Sequence, residues 1–178
     1  NSPQNPTGTV LAQTDLDQLA HLVANSNILV LSDEVYEHIT FDGKPHTSVI
    51  AHPKLADRSL VVFSFGKTFH ATGWKLGYVL APANLMAEFR KVHQYDVFSC
   101  NTPIQYALAD YMQSEGVFNI AQMYQNKRDY FLEQVKGSRF KPLQSSGTYF
   151  QLLDFSAITQ EADTDFAVRL TTEFGLAG

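Results

Sequence analysis

The chain is short of the features that usually place a protein quickly. It has one cysteine, Cys100, so no disulfide can close within it, and that fits a reducing compartment. Its ordinary role is a small buried side chain rather than a reactive thiol. No apolar run approaches the roughly 20 residues that cross a bilayer. The opening Asn-Ser-Pro-Gln-Asn-Pro resembles neither a signal nor a transit peptide. Neither charge dominates: 13 Lys and Arg stand against 18 Asp and Glu, a net charge of −5. That supplies no long-range field toward nucleic acid or an anionic membrane, so neither is expected as a partner. Glycine and proline are not in excess, and there is no internal repeat or low-complexity segment. The six histidines, at 21, 38, 46, 52, 70 and 93, show no metal-ligand spacing. They are read as surface or structural, and no metal is expected.

What is there is a globular composition, 44% hydrophobic over 178 residues. This is enough for one domain with a real core, or for part of something larger. Helices are expected over 14–25 with Thr14 as N-cap, and over 83–95, 103–114, 118–136 and 163–174, with Gly175 as a C-cap glycine. The unbroken apolar runs 28–31 and 59–65 suit strands covered on both faces. Further strands are expected at 77–80 and 148–153. Buried strands alternating with helices predict an α/β fold with a mostly parallel sheet and flanking helices. In such sheets ligands sit beyond the carboxyl ends of the strands. Asp33-Glu34-Val35-Tyr36 and Ser64-Phe65-Gly66-Lys67 fall there.

Three readings compete for Lys67. A phosphate loop needs a glycine five residues before Gly66, but Val61 stands there, inside the expected strand. Ser64-x-x-Lys67 suggests a serine acyl-enzyme. That chemistry also needs Ser-Asp-Asn and Lys-Thr-Gly, and the nearest strings, Ser32-Asp33-Glu34 and Lys67-Thr68-Phe69, match neither. It further needs a helix start, where residues 63–66 are expected to end a strand. The third reading is a Schiff-base lysine serving pyridoxal 5′-phosphate. That cofactor needs an amine for its aldehyde, a carboxylate at its ring nitrogen, donors near its phenolic oxygen, and hydroxyls and cations around its phosphate. The chain has a candidate for each.

Three motifs together carry a resemblance. Asn1 to Gly8 (NSPQNPTG), Ser32 to Tyr36 (SDEVY), and Ser64 to Thr68 (SFGKT) with Gly73 to Tyr78 (GWKLGY) are similar to the class I aminotransferases of PLP fold type I. Order and spacing fit the kynurenine, glutamine and methionine aminotransferase branch, and Gly147-Thr-Tyr-Phe150 resembles its small-domain strand. The resemblance implies that Lys67 forms the Schiff base and shuttles the substrate proton. It implies that Asp33 pairs with the pyridine nitrogen and that Tyr36 and Asn5 meet the phenolic oxygen, Asn5 also touching the substrate carboxylate. Ser64 and Lys75 would hold the phosphate. Lys75 stands where many relatives carry arginine, keeping the charge but losing the bidentate fork. Each has an ordinary alternative: a strand-end surface lysine, a loop aspartate, a core-edge tyrosine, a turn asparagine. Phe98 and Ser99 fall in a segment that in this family approaches the neighbouring subunit's active site, the ordinary alternative being a buried aromatic after a helix.

By the same resemblance, residues 1–115 belong to the large cofactor-binding domain and 116–178 begin the smaller C-terminal α+β domain. Complete members carry as much chain again. Their earlier phosphate-holding glycine segment, their ring-stacking aromatic and their carboxylate-gripping arginine have no counterpart here. The segment alone is therefore expected to be poorly stable or inactive, with unpaired sheet edges. The implied activity is amino-group exchange between an amino acid (methionine, glutamine or aromatic) and a 2-oxo acid, in a cytoplasmic homodimer. Two other readings stand beside it. One is a cysteine-conjugate β-lyase using the same cofactor, which releases pyruvate and a thiol. The other is the non-catalytic effector domain of a regulator, which an upstream basic helix-turn-helix would favour.

Overall fold

A computed structural model describes residues 1–178. The chain runs α1 (Gln13–Val23), β1 (Val30–Asp33), β2 (Ser59–Ser64), a single helical turn α2 (Phe65–Thr68), β3 (Gly77–Leu80), α3 (Ala83–Asp96), α4 (Thr102–Tyr111), α5 (Ile120–Val135), β4 (Lys141–Pro142), β5 (Leu153–Asp154) and α6 (Asp163–Phe174). Leu16, Ala20 and Val23 recur at helical spacing on α1. They pack with Val61 and Phe63 of β2 and with Val49 and Leu55 of the connecting loop. Full burial of each large side chain contributes about 1.5–3 kcal/mol, so this cluster anchors α1 to one face of the sheet.

The sheet has the order β1-β2-β3. β1 and β2 run parallel, Val30 facing Ser59 and Asp33 facing Val62. β3 is antiparallel to β2, with Ser64 facing Gly77. Within this chain the sheet thus holds one parallel and one antiparallel pair, because residues 65–76 contain only single helical turns and no helix that could carry the chain back across the sheet. Gly77 lies so close to β2 that a Cβ there would sit 2.3 Å from the Phe63 carbonyl oxygen. Side chains alternate along β2: Ser59, Val61 and Phe63 are buried, while Leu60, Val62 and Ser64 are only partly covered. Leu31, in the row of Leu60, is 72% exposed. One face of the sheet is therefore packed on α1 and the other is bare. The expectation of strands covered on both faces holds on one side only.

Other expectations shift in detail. The first helix begins at Gln13 with Ala12 as N-cap, not Thr14, and Asp15 accepts from the Ala12 amide at 2.7 Å. The first strand starts at Val30, two residues later than its apolar run. The strand expected over 148–153 is reduced to Leu153–Asp154, paired with β4, plus an isolated bridge between Thr40 and Gly147. Thr148 has a positive φ of 66°, which extended pairing cannot accommodate. Residues 65–68 form a helical turn, so Lys67 stands in a turn and not on a strand tail. The acyl-enzyme reading therefore fails on its missing motifs alone. Cys100 is half-buried rather than buried. α6 closes at Gly175, φ 68°, as its sequence implies.

Candidate active site

The bare face carries the polar groups. Residues two apart share a face, so Asp33 extends the row begun by Leu31, and Ser64 the row of Leu60 and Val62. Asp33 and Ser64 therefore project together at the carboxyl ends of β1 and β2. One Asp33 carboxylate oxygen, Oδ1, accepts from the Val35 amide at 3.2 Å; the other accepts no hydrogen bond from the protein. The Ser2 amide donates to the Asp33 carbonyl at 3.0 Å, which lays the N-terminal segment along this edge.

Ser64 ends β2 and the chain turns into α2, which lifts Lys67 over the end of the sheet. Gly66 allows this: a Cβ there would sit 2.8 Å from the Thr72 Cα. Lys67 Nζ donates to the Tyr149 hydroxyl at 3.1 Å. Tyr36 is 2% exposed, and its hydroxyl donates to the same Tyr149 oxygen at 3.3 Å. The two phenol rings meet edge to face, 5.2 Å apart, and Lys67 Nζ lies 5.8 Å from each ring centre. Burial, then the Tyr149 hydroxyl and the Asp33 carboxylate, push the Tyr36 phenol well above its ordinary value, against an opposing contribution from Asn5. Tyr36 is therefore a proton donor at neutral pH.

Of the six residues singled out in the sequence, Asn5, Asp33, Tyr36 and Lys67 gather around this point. Ser64 joins them on the bare face. Lys75 caps the 3₁₀ turn at Thr72–Trp74 with φ 55°, two residues before Gly77, which pairs with Ser64. The Asn5 side chain lies at the Tyr36 hydroxyl, while the side chains of Ser64 and Lys75 have no hydrogen-bond partner in the protein. The rim thus offers a free carboxylate oxygen, a free hydroxyl, an amide beside the Tyr36 phenol and two ammonium groups, a set that fits an anionic aromatic cofactor with a ring nitrogen. Phe98 is 82% exposed with φ 63°, so it is not a buried aromatic behind a helix.

Two supporting arrangements were not legible in the sequence. Glu34 is 1% exposed. It accepts from Ser32 Oγ at 2.9 Å and the Val49 amide at 3.0 Å, and meets His46 Nε2 at 2.7 Å. Burial works to raise its carboxyl, but the bonds from His46, Ser48 and Val49 outweigh it and hold the group below its ordinary value. On the other side, Arg128 grips both Asp42 oxygens at 2.7 Å and the Ser145 carbonyl at 3.1 Å. Together with the bonds of Phe41 to Ser146 and Thr148 to Ile39, this brings the 145–149 segment to the sheet. A Cβ on Gly147 would meet the Ile39 carbonyl at 2.6 Å, so only glycine permits this approach. No cluster of His, Cys, Asp and Glu could hold a metal, and no helix is long and apolar enough to cross a membrane.

Comparison with known proteins adds a second line. The family model described as aminotransferase class I and II matches residues 1–177. A methionine aminotransferase of Escherichia coli is 49% identical over 99% of the chain and 46% of its own length. A kynurenine–oxoglutarate transaminase of Dictyostelium discoideum is 36% identical over 99% and 46%. The chain spans about half the length of the curated relatives it matches. Among solved structures, the Escherichia coli protein described as having a methionine aminotransferase function superposes with a TM-score of 0.95 at 48% identity, over 99% of this chain and 47% of that one. N-Succinyldiaminopimelate aminotransferase from Mycobacterium tuberculosis gives 0.93 at 34% identity, over 99% and 47%.

Proposed function

The chain belongs to the class I and II aminotransferases, and on that premise we propose that it forms part of a pyridoxal 5′-phosphate-dependent aminotransferase, moving an amino group between an amino acid and a 2-oxo acid. Methionine leads as the donor, with glutamine and aromatic amino acids behind it, on the strength of the 49% identity to a methionine aminotransferase. One observation carries the reading: Lys67 Nζ sits beside the hydroxyl pair of Tyr36 and Tyr149 at the carboxyl end of β2, and the Asp33 carboxylate, one oxygen of which no protein group satisfies, acts on the same Tyr36 phenol.

When bound, pyridoxal phosphate supplies an electron sink that lowers the barrier to breaking the bond between the substrate α-carbon and its hydrogen. The residues of the chain do the rest. Asp33 holds the proton on the cofactor's ring nitrogen by charge pairing. Tyr36, kept protonated by burial, donates to the phenolic oxygen, and Asn5 joins it. Ser64 and Lys75 grip the phosphate, a hydroxyl and a point charge. Lys67 would hold the cofactor by its Nζ, and that same atom would take up and return the substrate α-proton.

We further read residues 1–115 as part of the large domain and 116–178 as the start of the small one, supported by their separate sheets. A cytoplasmic homodimer is supported by the single cysteine and by the exposed Phe98. The test is to incubate the intact protein with pyridoxal phosphate, each candidate donor and a 2-oxo acid, and to resolve the products by chromatography. A new amino acid and the donor's 2-oxo acid are expected. Pyruvate and a thiol from a cysteine conjugate, with no transamination, would replace this reading by the β-lyase.

A further inference from the structure

We propose that Tyr149 is a positioning residue for the proton transfer, its hydroxyl holding the Lys67 amine in place. The inference rests on the aminotransferase reading above. A lysine side chain has four rotatable bonds, and an amine that must meet one particular hydrogen gains rate from being held. Among the residues of this chain, the Tyr149 oxygen is the only hydrogen-bond partner of Lys67 Nζ. A phenol oxygen has two acceptor sites and one hydrogen. In this structure Lys67 and Tyr36 occupy the acceptor sites; when Tyr36 gives its hydrogen to the cofactor, Lys67 remains as the donor to Tyr149. The Tyr149 hydrogen is left free for a third group entering the site.

Tyr149 is itself held. Its ring packs 5.6 Å from that of Tyr124 and 4.8 Å from that of Phe150. The residue before it, Thr148, is fully buried with a positive φ of 66°. For a β-branched residue that backbone is an outlier, and such strain persists only where the surroundings impose it, often at functional sites. Here it aims Tyr149 across 82 residues of sequence at Lys67. A phenylalanine would keep the ring contacts and lose both acceptor sites, so the hydroxyl is the part that acts on the amine.

In the step concerned the bond between the substrate α-carbon and its hydrogen breaks. The proton passes to Lys67 Nζ, and the electron pair stays on the substrate side. The test compares wild-type intact protein with Tyr149→Phe, using L-methionine and its α-deuterated form. Cofactor affinity and KM are expected to stay near wild type. kcat should fall about tenfold, the upper end of what one hydrogen bond between neutral groups contributes, and the primary deuterium isotope effect should rise. A second readout needs no turnover: in the cofactor-free protein, acylation of Lys67 followed by peptide mass should be several-fold faster in Tyr149→Phe. If wild type transaminates while the variant matches it in kcat, isotope effect and acylation, the inference is overturned. A fall in kcat with lost cofactor and no rise in the isotope effect also overturns it, leaving a merely structural tyrosine. If wild type shows no transamination, the aminotransferase reading fails and takes the proton-transfer role with it, whatever the acylation rates show of the contact.

Discussion

Replacing Glu34 by glutamine tests how the loop behind the site is held. Glu34 lies between Asp33 and Tyr36 in sequence but faces the opposite way, into the protein, where it is 1% exposed. Its Oε1 accepts from Ser32 Oγ and the Val49 amide, and its Oε2 meets His46 Nε2 at 2.7 Å. His46 Nδ1 is buried without a partner. A bare lone pair there costs less than an unpaired N–H, which puts the His46 proton on Nε2 as a donor to Glu34. A glutamine keeps an acceptor for Ser32 and Val49 but turns an N–H toward the His46 N–H. The loss is one charge-assisted bond in a dry site, about 1.5–3 kcal/mol. For a chain of this size that lowers Tm by roughly 3–12 °C. Because the folded carboxyl is held below its ordinary value of 4.5, its stabilising contribution is present above that pH and is lost as pH falls through the lower, folded value. Glu34→Gln therefore flattens the acid limb of stability against pH. Thermal melts from pH 7 down to 3, with hydrogen exchange at the Val49 amide, read both effects. An unchanged Tm with unchanged Val49 protection would refute the reasoning.

Further expectations follow from single contacts. Gly77→Ala drives a methyl group into the Phe63 carbonyl and should cost about 1–3 kcal/mol, whereas Gly73→Ala, with open space around it, should stay within about 0.5 kcal/mol; denaturant melts compare the two. Arg128→Leu removes the fork on Asp42. Because Asp42 is half in solvent, the ion pair should account for only about 1 kcal/mol and shrink at high salt, while the lost bond to the buried Ser145 carbonyl should add about 1–3 kcal/mol at any salt, measured by urea unfolding at low and high ionic strength.

Much of the fold is legible in the sequence because local signals agree with it. Leu16, Ala20 and Val23 mark the buried face of α1 by spacing, and Gly175 marks the end of α6 by its left-handed backbone. The site was legible for a different reason. Asn5, Asp33, Tyr36, Ser64, Lys67 and Lys75 belong to three short motifs, each on one strand end or turn, so a linear pattern captures them. What the pattern misses is set by tertiary contact. Tyr149 acquires its place through the approach of Gly147 to Ile39, Asp42 finds Arg128 86 residues away, and the Glu34 carboxylate is indistinguishable in sequence from a surface one. The bare face of β1 and β2 also escaped. Apolar runs state that a strand is to be covered, but not by what.

The central claim is that Lys67 carries the cofactor, and absorbance tests it most directly. Intact wild-type protein titrated with pyridoxal phosphate is expected to develop a near-visible band. Borohydride should abolish that band and fix the pyridoxyl group on the peptide containing Lys67, while folded Lys67→Ala develops no such band. A folded wild-type protein without the band, or a reduced adduct on a lysine other than Lys67, would contradict the account.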